Sequence, residues 1–240
     1  MAYTLREAIM QTRRLDSLTL GSLGLALGVL AVGVFLGLKA PPDIHQGWLS
    51  RMLYVHPPVA WVAYLSFFAA AAYGIAYLVR GKAHHDRMTA AAVELGLLFS
   101  GLALVSGMLW ARPTWGVYWV WEPRLTTTAI MFVVYVGYMV VRGAIEDPEL
   151  RAKAGSAIAI LGSINVPISY MSVKWWRSLH QTQSLDPTTG KIAMQSEMLV
   201  AMLISLLAFS LLFAVMLRLR GMVLKQEARQ QELKLEVQHG

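Results

Sequence analysis

LGSLGLALGVLAVGVFLGL, Leu20 to Leu38, runs for nineteen residues without a charge. A helix rises about 1.5 Å per residue, so about 20 such residues cross the roughly 30 Å of hydrocarbon in a bilayer. Outward from this stretch the pattern repeats, at Pro58–Val79, Thr89–Ala111, Leu125–Val141, Ala154–Val173 and Met198–Leu217. The chain of 240 residues is 56% hydrophobic and only 15% charged, against about 25% charged in soluble domains, and its mean hydropathy is +0.50. The spacing predicts an all-α, polytopic membrane bundle of six transmembrane helices, one membrane domain over 1–217. The residues after Arg218 mix basic, acidic and apolar types and are expected to form a polar cytoplasmic tail, 218–240, as a short solvated helix. The first span is expected to be retained: its apolar run is long for a signal peptide, and Lys39-Ala40-Pro41-Pro42 follows it in place of a small-residue cleavage site.

Lysine and arginine orient the spans. Arg6, Arg13 and Arg14, then Arg80, Lys82 and Arg87, then Arg142, Arg151 and Lys153, then Arg218, Arg220, Lys225, Arg229 and Lys234 fall on one side. The other side carries half as many: Lys39, Arg51, Arg112, Arg124, Lys174, Arg177 and Lys191. The positive-inside rule then puts both termini in the cytoplasm. Three loops face the other way, 39–57, 112–124 and 174–197, and they hold most of the unusual residues.

Composition removes several functions. There are no cysteines, hence no disulfide, thiol chemistry or Cys-x-x-Cys-His attachment of haem. A net charge of +7 without a basic stripe on a folded polar surface gives no nucleic-acid site. No Gly-x-x-x-x-Gly-Lys-Ser/Thr loop is present, so ATP is not used by this chain.

The middle outer loop, Trp110 to Thr126, packs four of the eight tryptophans into twelve residues, Trp110, Trp115, Trp119 and Trp121. Tryptophan lines both membrane surfaces as an interfacial belt. A belt spreads over many helix ends, whereas this cluster occupies one loop that Pro113, Gly116 and Pro123 bend away from continuous helix. A shelf of indoles suits a large, flat, apolar ligand. His56 precedes Pro57-Pro58, which fit the first turn of span two. His180 follows span five, and Trp176 would share its face at i, i+4 if helix continued that far. Two imidazoles, an indole shelf and nearby Arg51, Arg112, Arg124, Lys174 and Arg177 match haem, whose iron takes axial histidines. Zinc, with His45 and Glu122 as further ligands, is a weaker fit.

Elsewhere the bland accounts hold. His84 and His85 read as a solvated loop, and His239 lies in the tail. Glu94, shallow in span three, is expected to snorkel or to pair with Arg87. Asn165 and Pro167 predict a kink with a helix–helix hydrogen bond in span five. Gly96, Gly101 and Gly107 predict close helix packing.

The loop Trp115-Gly-Val-Tyr118-Trp119-Val-Trp121-Glu122-Pro-Arg124-Leu-Thr126 resembles the tryptophan-rich "WWD" signature of haem-handling proteins. Its Arg-Leu-Thr ending resembles the haem exporter protein C branch (CcmC) of the cytochrome c maturation system. Arg51-Met-Leu-Tyr54-Val-His56-Pro57 and Ser172-Val-Lys-Trp175-Trp176-Arg-Ser-Leu179-His180-Gln181 agree in order and position, so the resemblance spans essentially the whole chain. Glu122 stands for the signature's usual Asp, and Tyr118 for one usual Trp.

The resemblance implies a transport-related role in c-type cytochrome biogenesis in the bacterial cytoplasmic (inner) membrane. Haem b would be held non-covalently and transiently at the periplasmic face, with His56 and His180 as axial ligands. Trp115, Trp119 and Trp121 would form the platform, with Tyr118 and Trp176 beside it, and Glu122, Arg124 and Arg51 would fix haem or the partner. The implied partners are a periplasmic haem chaperone, the ATPase and membrane subunits of an ABC transporter complex, a small single-span accessory subunit and membrane lipid. No conventional enzyme activity is expected, although attachment of haem to the chaperone could be classed as lyase-like. Two rivals are a b-type electron-transfer subunit, which would place paired histidines inside the spans, where this chain has none, and a structural or docking subunit that ligates no haem.

Overall fold

The computed structural model describes residues 15–180, 189–190, 192 and 194–239. Six helical passes are long and apolar enough to cross a membrane, and no strand occurs among the described residues. Arg6, Arg13, Arg14, Gln181 and Lys191 lie outside the described residues.

α1, Ser17–Lys39, starts where the Asp16 carboxylate accepts the Thr19 N–H at 2.7 Å and stops before Pro41-Pro42. A tight turn follows, in which the Asp43 side chain accepts the Gln46 and His45 N–H groups at 2.8 Å each. These two bonds hold its carboxyl below the usual carboxylate range. A short 3-10 helix, Trp48–Tyr54, then leads into α2, His56–Arg80. Pro57 and Pro58 sit in the first turn of α2 as expected, which makes His56 its first helical residue.

Gly81, at φ +63°, ends α2 with its N–H on the Tyr77 carbonyl, a conformation that favours glycine. α3, Ala83–Trp115, begins two residues later. His84 and His85 are therefore in helix rather than in a loop: their polar neighbours end the hydropathy signal but do not end the helix. α4 is Pro123–Ala144, and α5 is Pro148–Ser163, N-capped by Asp147. α6, Asn165–Trp175, continues the fifth pass after a break at Ile164. Asn165 donates its side-chain N–H to the Thr127 carbonyl at 2.7 Å, so the expected interhelical bond is present beside the break at Ile164. α7, Ser196–His239, is one helix of 44 residues, about 66 Å long. The expected separate tail helix is the direct continuation of the sixth pass.

α2 and α3 pack most closely, with α7 and α5 against them and α1 against α7. A Cβ on Gly96 would lie 2.3 Å from the Phe67 ring. Phe67 is stacked on Tyr135 at 3.8 Å, and the Tyr135 hydroxyl donates to the Ala159 carbonyl at 3.0 Å. The ring cannot swing away, so Gly96→Ala is expected to destabilise the fold by about 1–3 kcal/mol. An unchanged unfolding midpoint in detergent would show a looser contact.

The end opposite the tryptophans is tied by ion pairs. Arg142 grips Asp86 through both oxygens at 2.6 Å, and Arg218 bonds Asp16 at 2.7 Å. Arg220 pairs with Glu94 and with Glu227. Glu94 thus pairs with Arg220 from α7 and not with the sequence-local Arg87.

Candidate haem cavity at the tryptophan end

His56, His180, Trp115, Trp119 and Arg124 line one cavity of about 610 Å³, within the range of small-ligand and cofactor sites. Side chains of α2, α3, α4, α6 and α7 complete it, and most are apolar. Residues far apart in sequence meet here because α2, α3, α4, α6 and α7 all border the same space.

His56 is the most firmly held member. Its Nδ1 lies 3.0 Å from Ser106 Oγ, and the Ser106 hydroxyl donates to the Leu102 carbonyl at 2.7 Å. With its proton committed there, the hydroxyl accepts from an Nδ1–H, which leaves the lone pair on Nε2, the form that ligates metals. Trp110 meets the ring edge-on at 5.7 Å and is itself anchored by its indole N–H on Gln46 Oε1 at 3.1 Å. A Cβ on Gly107 would approach His56 to 3.1 Å, so glycine makes room for the imidazole. None of Ser106, Gly107 and Trp110 was singled out from sequence as a partner of His56. Their only sequence signal is a helical spacing that aims all three toward one face of α3.

His180 arrives differently. α6 stops at Trp175, and Trp176 turns into extended backbone, its N–H on the Ser172 carbonyl. Trp176 and His180 therefore do not share a helix face. Trp115 meets the His180 ring edge-on at 6.4 Å. Ser178 accepts the His180 N–H at 3.0 Å and donates its hydroxyl to Glu122 Oε2. The other Glu122 oxygen caps α4 by accepting the Leu125 N–H. Glu122, only 5% exposed, holds the segment carrying His180 and does not line the cavity.

Arg124 donates to the Tyr170 carbonyl at 3.0 Å, while its buried Nε has no hydrogen-bond partner. The buried Trp119 Nε1 also lacks one. Arg124 is the one basic side chain among the lining residues.

The remaining expected site residues lie outside the cavity lining. Trp121 is 82% exposed and meets Trp119 edge-on at 5.4 Å. Tyr118 lies under the Arg112 guanidinium, and Trp176 lies against Trp175. Arg51 stacks on Trp48 and bonds the Leu38 carbonyl at 3.2 Å. None of these four lines the cavity. His45 is exposed on its turn, and no group of three His, Asp or Glu able to hold a metal ion occurs among the described residues.

Over residues 5–234 the chain matches the family model described as Heme exporter protein C. The Heme exporter protein C of Bradyrhizobium diazoefficiens is 34% identical over 203 residues, 84% of this chain and 77% of its own. That of Haemophilus influenzae is 36% identical over 209 residues, 85% of this chain and 84% of its own. A ccmC-like mitochondrial protein of Marchantia polymorpha, described for cytochrome c biosynthesis, is 33% identical over 209 residues, 87% of this chain and 85% of its own.

Proposed function

The chain belongs to the heme exporter protein C family of cytochrome c maturation, and from that premise we propose that its cavity holds haem b between His56 and His180 and presents it to a periplasmic haem chaperone. The observation that carries this reading is that two imidazoles from distant segments border one largely apolar cavity. The residues fit the cargo. Trp115 and Trp119 offer ring surface to a macrocycle, and the unpartnered Arg124 Nε offers a charged donor to a propionate.

Bound haem supplies an iron with two axial positions. His56 takes one with the Nε2 lone pair fixed by Ser106, and His180 takes the other. Filling both positions keeps dioxygen off the iron while the cargo waits. The exposed Trp121, together with Tyr118, Trp176 and Arg51, serves to dock the chaperone. The protein works as a holding and hand-off device in the bacterial cytoplasmic membrane. The tryptophan end is periplasmic, and both termini lie with the basic end in the cytoplasm. Energy comes from the ATPase and membrane subunits of an ABC transporter complex, which a small single-span subunit completes.

The test is the absorption spectrum of the detergent-purified protein titrated with haem. A six-coordinate, low-spin spectrum is expected. If no haem binds, the chain is a docking subunit whose exposed Trp121 contacts protein, the second reading. Arg124 gives a sharper check. Arg124→Gln is expected to weaken haem binding about 10- to 150-fold, since a charge-assisted bond contributes roughly 1.5–3 kcal/mol, and to leave binding of haem dimethyl ester unchanged. Equal losses for both ligands would remove Arg124 from the propionate role.

A further inference from the structure

The cavity does not end at the histidines. It continues toward the middle of the bundle, past Ala60, Tyr64, Ala103 and Met131. On most sides its walls are tied helix to helix. Tyr64 reaches Ser169 at 3.2 Å, and Ser169 reaches Thr128 at 3.1 Å, joining α2, α6 and α4. α2 and α3 meet closely at Gly96, with no space for a Cβ, and at Gly107, where a Cβ would press on His56 at 3.1 Å.

The wall between α2 and α7 is different. Trp61 and Leu207 both line the cavity and are 42% and 49% exposed. Both side chains therefore border the cavity while keeping much of their surface accessible, on two helices long and apolar enough to cross a membrane. A single side-chain hydrogen bond spans the two helices there, from the Trp61 indole N–H to Ser210 Oγ at 3.0 Å. Ser210 also lines the cavity, and its hydroxyl donates to the Leu206 carbonyl. Parting Trp61 from Ser210 breaks one bond to a hydroxyl whose proton is already placed on the Leu206 carbonyl.

We propose that Trp61 closes a lateral portal between α2 and α7 through which haem passes between the bilayer and the cavity. The portal rests on the haem reading of the site, and its chemistry suits that cargo. On this side the cavity is lined by Trp61, Leu207 and Ala60, an apolar surface for an apolar macrocycle. Arg124 lines the same cavity and offers a guanidinium to the carboxylates. An aqueous route would instead have to pass the aromatic groups Trp115, Trp119 and His180 at the tryptophan end.

The absence of native cysteines allows a clean test. In the double variant Trp61→Cys and Ser210→Cys, a reducible bis-thiosulfonate linker bridges α2 to α7. The protein is placed in nanodiscs whose bilayer already contains haemin, and growth of the low-spin spectrum is timed. With the linker in place loading is expected to slow at least about tenfold, and reduction of the same sample restores it; Trp61→Ala, which removes the closure, loads several-fold faster than wild type. The final spectra should coincide, because the ligands are untouched. A low-spin spectrum that forms at one rate whether or not the linker is present would sink the portal and leave the site standing. No low-spin spectrum in any form, wild type included, would sink the haem site and the portal with it.

Discussion

In His56→Ala and His180→Ala, the low-spin spectrum of the haem-loaded protein is expected to give way to a five-coordinate, high-spin one. Haem affinity should fall by about a hundredfold or more, since even second-shell partners of metal ligands are worth 10–100-fold. Added imidazole separates loss of a ligand from loss of fold. It should restore the low-spin form best in His56→Ala. There the vacated space is bounded by fixed groups: Ser106, Gly107 as a floor, and Trp110 braced on Gln46. Ser106→Ala should act in the same direction but more weakly, by about 10-fold, because Nδ1 loses the acceptor that keeps the lone pair on Nε2. If both histidine variants keep the wild-type spectrum, the axial assignment is wrong.

Much of this arrangement is legible in the chain because the physics behind it is local. Each pass needs its own apolar run, so six passes stand out by length alone, and Pro57-Pro58 marks the start of α2. The tryptophan density around residues 110–121 marks one end of the bundle as unusual. What resists reading is set by contacts between distant segments. Glu94 finds Arg220, 126 positions away, because α7 runs on past the apolar stretch and carries its arginines alongside α3. Charged residues end a hydropathy signal without ending a helix, so His84 and His85 are helical and α7 runs unbroken past Arg218 to His239. The stop at Trp175 has neither glycine nor proline to announce it, and the i, i+4 partnership of Trp176 with His180 fails there. The split between residues that line the cavity and residues outside it is equally silent. Trp119 and Trp121 are two residues apart in one loop, yet one lines the cavity and the other is almost wholly exposed.

Glu122 bears the second large effect, and it acts without lining the cavity. One carboxylate oxygen caps α4 and the other accepts the Ser178 hydroxyl, two residues before His180. Glu122→Ala removes both bonds. Loss of the cap costs about 0.5–2 kcal/mol of stability, and release of Ser178 frees the backbone that aims His180. The expected spectrum is a mixture of low- and high-spin forms, with haem affinity down about 10-fold or more. Glu122→Asp should recover most of both, since Asp is a favoured N-cap and keeps the acceptor. A positioning role also predicts non-additivity. Ser178→Ala alone should reproduce part of the spectral change, and adding it to Glu122→Ala should change the spectrum little further, because both substitutions cut one path to His180. Fully additive effects, or a change in spectrum without any loss of low-spin character, would mean that the carboxylate acts on haem or on a partner directly. In that case the buried position of Glu122 would have to open in the loaded state.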